Sequence, residues 1–171
     1  MKVSRKPFVR LLAFALALSP MIISSSAKAE GYIGGLVGFG IPFGTSINYD
    51  NGSVFGGTIG YHLVPGLGIA ATYQHTNLGV PLTDSNIGVD QYLGELNFFS
   101  LFGLNGGVHA GSVKEGNSLV STTNLGFGPH LSMDFKLTNE ISIGAAAYWT
   151  YVTANDKHSI LDIVVPIKLW F

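Results

Sequence analysis

Leu161-Asp162-Ile163-Val164-Val165-Pro166-Ile167-Lys168-Leu169-Trp170-Phe171 is the stretch that decides the fold. Leu161, Ile163, Val165, Ile167, Leu169 and Phe171 occupy every second position, and none carries a polar group. Between them stand Asp162, Val164, Pro166, Lys168 and Trp170, which hold both charges of the segment. Successive side chains of a β-strand point to opposite faces, so period two separates a charge-free face from a mixed one. An unbroken apolar face of this size is hard to leave in water. It suits a strand with lipid on one side and a polar lumen on the other.

The same alternation recurs upstream. From Asn124 to Lys136, Leu125, Phe127, Pro129, Leu131, Met133 and Phe135 oppose Asn124, Gly126, Gly128, His130, Ser132, Asp134 and Lys136. Ile141, Ile143, Ala145, Ala147, Trp149 and Tyr151 oppose Ser142, Gly144, Ala146, Tyr148 and Thr150. Weaker alternation marks Tyr32–Ile41, Val54–Leu63, Leu67–Thr76, Val89–Phe99 and Leu104–Val113. These eight segments are about as long as, or a little longer than, the ~9–11 residues a tilted strand needs to span a bilayer. Apart from the N-terminus, the chain has no apolar run of the ~18 residues that a spanning helix requires. The expected fold is all-β, an eight-stranded antiparallel up-and-down transmembrane barrel.

Connections sort into two kinds. Val64-Pro65-Gly66, Ser100–Gly103 and Leu137-Thr138-Asn139-Glu140 are short; Pro42–Ser53, Asn77–Gly88, Lys114–Ser121 and Ala154–His158 are more polar and mostly longer. Short periplasmic turns, long outer loops and both termini in the periplasm are the corresponding expectation. Asp50, Asp84, Asp90 and Asp156 would give the outer loops a mild, solvated acidity.

The N-terminus reads as an export signal. Lys2, Arg5, Lys6 and Arg10 precede an apolar run from Leu11 to Ile23, and Ala27-Lys28-Ala29 is a small-x-small cleavage site. Residues 1–29 are therefore assigned to a cleaved signal and 30–171 to the barrel domain. Cleavage removes all arginines and leaves four lysines against ten carboxylates, a net charge of −6. A chain without clustered Lys and Arg has no footprint for nucleic acid. Nor does it contain a cysteine, so disulfides contribute nothing to its stability.

Extending the alternation predicts that Glu95, Asn97, His109, His130, Asp134, Lys136, Tyr148, Asp162 and Lys168 face the lumen as a structural or gating polar network. Eight strands enclose a lumen just wide enough for side chains to fill it, so charges there must pair or hold water. No ring of like charge suggests ion selectivity. His109 and His130 fall on neighbouring strands, but without a third ligand they define no metal site, and no cofactor is expected. Tyr61, Tyr73, Tyr92, Phe98, Phe127, Phe135, Trp149 and Tyr151 would face lipid as an aromatic girdle. Pro129 and Pro166 sit inside strands of a sheet without edges, where a bulge that reverses the facing is the expected accommodation.

With its cleavable signal, eight-strand pattern and terminal Trp170-Phe171, the chain resembles the outer-membrane β-barrel domain family, the small barrels similar to OmpX and the OmpA membrane domain. The resemblance covers essentially all of residues 30–171. It implies a Gram-negative outer-membrane location, contact with outer-membrane lipid and lipopolysaccharide, and a monomer. It also implies that Ile163, Val165, Ile167, Leu169 and Phe171 form the signal read by the barrel-assembly machinery. A peptidoglycan-binding domain is not expected after Phe171.

The function expected on this basis is a structural, envelope or surface-interaction role through the outer loops. The alternative is a small passive channel. Lipid A deacylases and palmitoyltransferases share the architecture, and His130-Leu131-Ser132 with Glu140, or His158-Ser159 with Asp156 or Asp162, superficially offer parts of a deacylase site. Alternation turns His130 and Ser132 away from lipid and puts Glu140 in a periplasmic turn, so no enzyme is expected. A soluble lipocalin-like barrel would need the two strand faces interchanged.

Overall fold

The computed structural model describes residues 30–44, 49–64, 66–80, 86–101, 103–116, 120–154 and 157–171. The assigned signal (1–29), Pro65, Asp84, Asp156 and the tips of the longer connections lie outside the described residues. Eight strands follow one another: β1 (Glu30–Phe43), β2 (Asp50–Val64), β3 (Leu67–Gly79), β4 (Asn86–Leu101), β5 (Leu104–Gly116), β6 (Ser121–Lys136), β7 (Ile141–Val152) and β8 (His158–Trp170). Each pairs antiparallel with its sequence neighbour, and β1 pairs with β8 to close the barrel. Phe171 N–H donates to the Gly31 carbonyl at 2.9 Å and accepts from Gly31 N–H at 3.0 Å, so the seam is bonded to its last residue.

Register fixes the tilt. Partners traced once around the wall run Glu30, His62, Gly68, Asn97, Gly107, His130, Tyr148, Asp162 and then Gly40, so the path returns to β1 ten residues along from its start. With ~3.3 Å per residue and ~4.8 Å between strands, that stagger inclines the strands by about 40°. We call the end holding Glu30 and Phe171 the lower end and the opposite one the upper end. The three short connections all lie at the lower end.

Outward side chains form three belts along this tilt. Tyr61, Phe98, Phe99, Phe135 and Phe171 are exposed near the lower end. Phe39, Phe55, Tyr73, Tyr92, Phe127, Trp149 and Tyr151 stand higher; Tyr73 and Tyr92 are direct register partners, as are Phe127 and Tyr151. Between the two lie exposed aliphatics such as Ile33, Ile59, Ile69, Leu96, Leu131 and Ile167. Given the stagger, the aromatic bands are about 18 Å apart, inside the ~25 Å apolar band of membrane barrels.

Three expectations need correction. The longer connections are shorter than the polar stretches suggested, because β1 runs to Phe43, β2 begins at Asp50, β3 runs to Gly79, β4 begins at Asn86 and β5 runs to Gly116. The strands project above the upper aromatic band, where the outer face meets water while inward side chains such as Leu78 and Val89 pack into an apolar layer, so the lipid-out, polar-in contrast that marks a strand is lost. Asp50 and Asp90 consequently lie in strands rather than loops; Asp90 accepts hydrogen bonds on the outer wall from Tyr73 Oη (2.8 Å) and pairs with His75 Nδ1 (2.8 Å).

Neither proline reverses the facing. Gly128 and His130 flank Pro129 on the inner side, and Val164, Pro166 and Lys168 all point inward. Instead the ladder toward β7 omits two residue pairs at each: between Phe127↔Tyr151 and His130↔Tyr148, and between Ile143↔Ile167 and Ala146↔Val164, with register unchanged. A missing N–H removes a bond without adding a residue, so it leaves a gap in the ladder rather than a bulge. The register shifts lie elsewhere, at Asp50/Ser53 and His62/Val64 on the β2–β3 ladder and at Asn97/Phe99 on the β4–β5 ladder, where Phe98 and Phe99 both point outward.

Candidate functional site in the barrel lumen

The inward faces of eight strands meet in the lumen, and the stagger stacks their side chains in layers. At the lower end Tyr32, His62 and Trp170 pack ring against ring, with centroids 5.0 to 5.7 Å apart. Trp170 Nε1–H donates to Ser142 Oγ at 2.8 Å, which fixes the indole across the mouth. Lys168 Nζ lies 4.7 Å from the Tyr32 ring centre and donates to Asp134 Oδ2 at 2.8 Å. A cation between an aromatic face and a carboxylate is held by both.

Lys136 departs from the expected lumen set. It is half exposed at the lower mouth, where Nζ donates to Glu30 Oε2 at 3.2 Å and sits 5.1 Å from the Trp170 ring centre. As the last residue of β6, paired with Ser142 of β7 at the rim, it turns its ammonium over the mouth beside Trp170 rather than into the closed lumen.

The middle layer brings together Glu95, Asn97, His109, His130 and Tyr148, all buried. His130 Nε2 is 2.8 Å from Asn97 Oδ1 and 3.7 Å from Glu95 Oε2. Its ring stacks on Tyr148 at 5.5 Å, and His109 packs against both at 5.7 and 5.8 Å. Thr72 Oγ1–H donates to Thr58 Oγ1 at 2.8 Å, and the Tyr148 hydroxyl reaches Glu95. A cavity of about 10 Å³ bordered by Glu95, Asn97, Ser132, Asp134 and Lys168 has room for a single water.

Above it lies a layer in which alternation singles out Asp162 and His109 but not their partners Gln91, Thr76 and Thr150. Asp162, with no exposed surface, accepts from Gln91 Nε2 at 2.5 Å and from Thr76 Oγ1 at 3.2 Å. Gln74 is equally buried, and His109 Nε2 lies 3.0 Å from Thr150 Oγ1. Thr72, Gln74 and Thr76 share one face of β3, a signal present in the sequence but too uncharged to stand out.

Leu78, Val89, Val113, Val152 and Ile160 then close the lumen as an apolar collar, each at most 1% exposed, with Tyr49 and Ala154 packed against it. Over the collar His158 Nε2 pairs with Glu115 Oε1 at 2.6 Å, and Asn124 Nδ2 donates to Glu115 Oε2 at 3.5 Å. From Trp170 to His158 the lumen is filled by side chains.

The chemistry available there is limited. Among the described residues no group of three or more His, Asp or Glu side chains could hold a metal ion. His130 and Ser132 face the lumen, whereas Glu140 is exposed in the lower turn 137–140, so the deacylase-like parts do not converge.

Solved structures share this architecture. Neisserial surface protein A aligns over 84% of this chain and 99% of its own, with a TM-score of 0.64 and 11% identity. Ail, the attachment invasion locus protein of Yersinia pestis, aligns over 85% of this chain and 99% of its own, with a TM-score of 0.55 and 12% identity. In a phospholipid bilayer nanodisc Ail gives the same TM-score of 0.55 over 84% of this chain, at 14% identity. At such identities the likeness concerns the fold. No family model and no curated protein matches the chain.

Proposed function

We propose that this protein is a non-conducting, non-enzymatic barrel of the bacterial outer membrane, which braces the envelope and offers its upper rim to external surfaces or ligands. The apolar collar carries the reading. Five aliphatic side chains packed to 0–1% exposure leave no aqueous path through the lumen, and ions do not cross a dry constriction of that kind. The exterior supports the location: aliphatics between two aromatic bands are the surface a bilayer solvates. Two of the proteins with this fold carry names that refer to a surface and to attachment. In this proposal Ile163, Val165, Ile167, Leu169 and Phe171 serve as the assembly signal, and both termini lie in the periplasm.

Purified barrel in planar bilayers is expected to show no unitary conductance at neutral pH. The double variant Leu78→Ala/Ile160→Ala, which thins the collar on two non-adjacent strands, β3 and β8, is expected to admit water and produce small, brief openings. Steady conductance from the unsubstituted protein would reject the sealed-lumen reading in favour of transport.

A further inference from the structure

On the outer wall, β5 to β8 enclose an apolar groove of about 590 Å³, bordered by Val108, Ala110, Phe127, Pro129, Trp149 and Tyr151. Small side chains create it. At the level where β2, β3 and β4 present Phe55, Tyr73 and Tyr92, β5 presents only Ala110, and β6 presents Pro129 beside the break in the β6–β7 ladder. Phe127 and Tyr151, with ring centres 5.5 Å apart, and Trp149, 55% exposed, form the walls.

The groove has a direction. Val108 is its lowest residue by register, and Ser159, next to the first residue of β8, is at its upper end and supplies a hydroxyl. The exposed Lys157 follows immediately above. Its lower part is thus apolar and its upper end polar with a cation. It opens onto the same exterior as Leu131 and Val165, continuous with the aliphatic belt.

We propose that this groove is a binding site for one acyl chain of a bilayer lipid, with the chain along Val108, Ala110 and Pro129 and an anionic headgroup at Ser159 and Lys157. The inference rests on the membrane reading above. An acyl chain fits because it is narrow, has no hydrogen-bonding groups to leave unpaired, and ends in the polar group that the groove's upper end accommodates. Shape complementarity around the chain makes this lipid exchange more slowly than its neighbours in the annulus.

Trp149 lines the groove, and the sequence's other tryptophan, Trp170, is buried across the lower mouth, so bromine-carrying lipid quenches only the first. The experiment titrates a phosphatidylglycerol with brominated acyl chains into the full barrel in detergent, at about one lipid per hundred detergent molecules, where chance proximity is rare. Trp149 emission is expected to fall and to saturate near one lipid per protein. Ala110→Phe, which fills the groove floor, is expected to reduce that quenching at least fivefold, while Ala110→Ser retains it. Quenching that follows lipid mole fraction without saturation overturns the site, and the unsubstituted curve decides this even if Ala110→Phe does not fold. The gel shift between boiled and unboiled protein is recorded on the same samples. Its presence with unsaturated quenching rejects the groove alone, whereas its absence in the unsubstituted protein rejects the membrane-barrel reading as well.

Discussion

Leu131→Arg is expected to lower the unfolding free energy of the barrel in lipid vesicles by about 2–4 kcal/mol, while Leu137→Arg costs about 0–1 kcal/mol. Both leucines are more than half exposed, so an exterior in water would tolerate the two alike. Leu131 lies midway between the aromatic bands on the outer face of β6, next to Ala147 on β7 and Gly106 on β5. An arginine there must carry its charge into hydrocarbon or reach past several residues to the interface. Leu137 starts the lower turn, where headgroups and water are at hand. Unfolding in urea, extrapolated linearly for each variant, measures the difference. Equal small costs at the two positions would mean that lipid does not solvate the wall.

The second large effect concerns the lower lumen. Lys168→Met is expected to destabilise the barrel by about 3–5 kcal/mol, because it strands the Asp134 carboxylate beside the partner it has lost. The Lys168 and Asp134 side chains are 8% and 10% exposed, too buried for water to replace the bond. The double variant Lys168→Met/Asp134→Asn is expected to recover most of the loss, since an amide can be left without a cation at far smaller cost. A double-mutant cycle isolates the coupling. Additive single effects below about 1 kcal/mol would show that water reaches the pair and that the lower mouth is open.

Much of this architecture is legible in the sequence because lipid and lumen impose opposite polarity on alternate residues. Leu161 to Phe171 has both charges on one face, and the structure keeps Asp162 and Lys168 inside while Val165, Ile167 and Leu169 point out. Legibility fades where that contrast fades. Asp50, Asn51 and Ser53 of β2 lie above the membrane belts and look like loop. The collar was hidden for another reason. Leu78, Val89, Val113, Val152 and Ile160 come from five strands, and only the register between strands reveals that they share a layer. His158 and Glu115 form their pair across three strand boundaries for the same reason. At Pro129 and Pro166 the sequence identifies a disturbance but does not separate a missing bond from an inserted residue.

The claim on which the rest depends is that odd-numbered residues of β8 face lipid and even-numbered ones face a closed lumen. The chain has no cysteine, so one introduced at each position from 163 to 168 carries a unique nitroxide label. In vesicles, collision with dissolved oxygen is expected to be high at 163, 165 and 167 and low at 164, 166 and 168, with a water-soluble nickel chelate excluded from all six. Free access of the chelate to 163, 165 and 167 would place that face in water and contradict the membrane barrel.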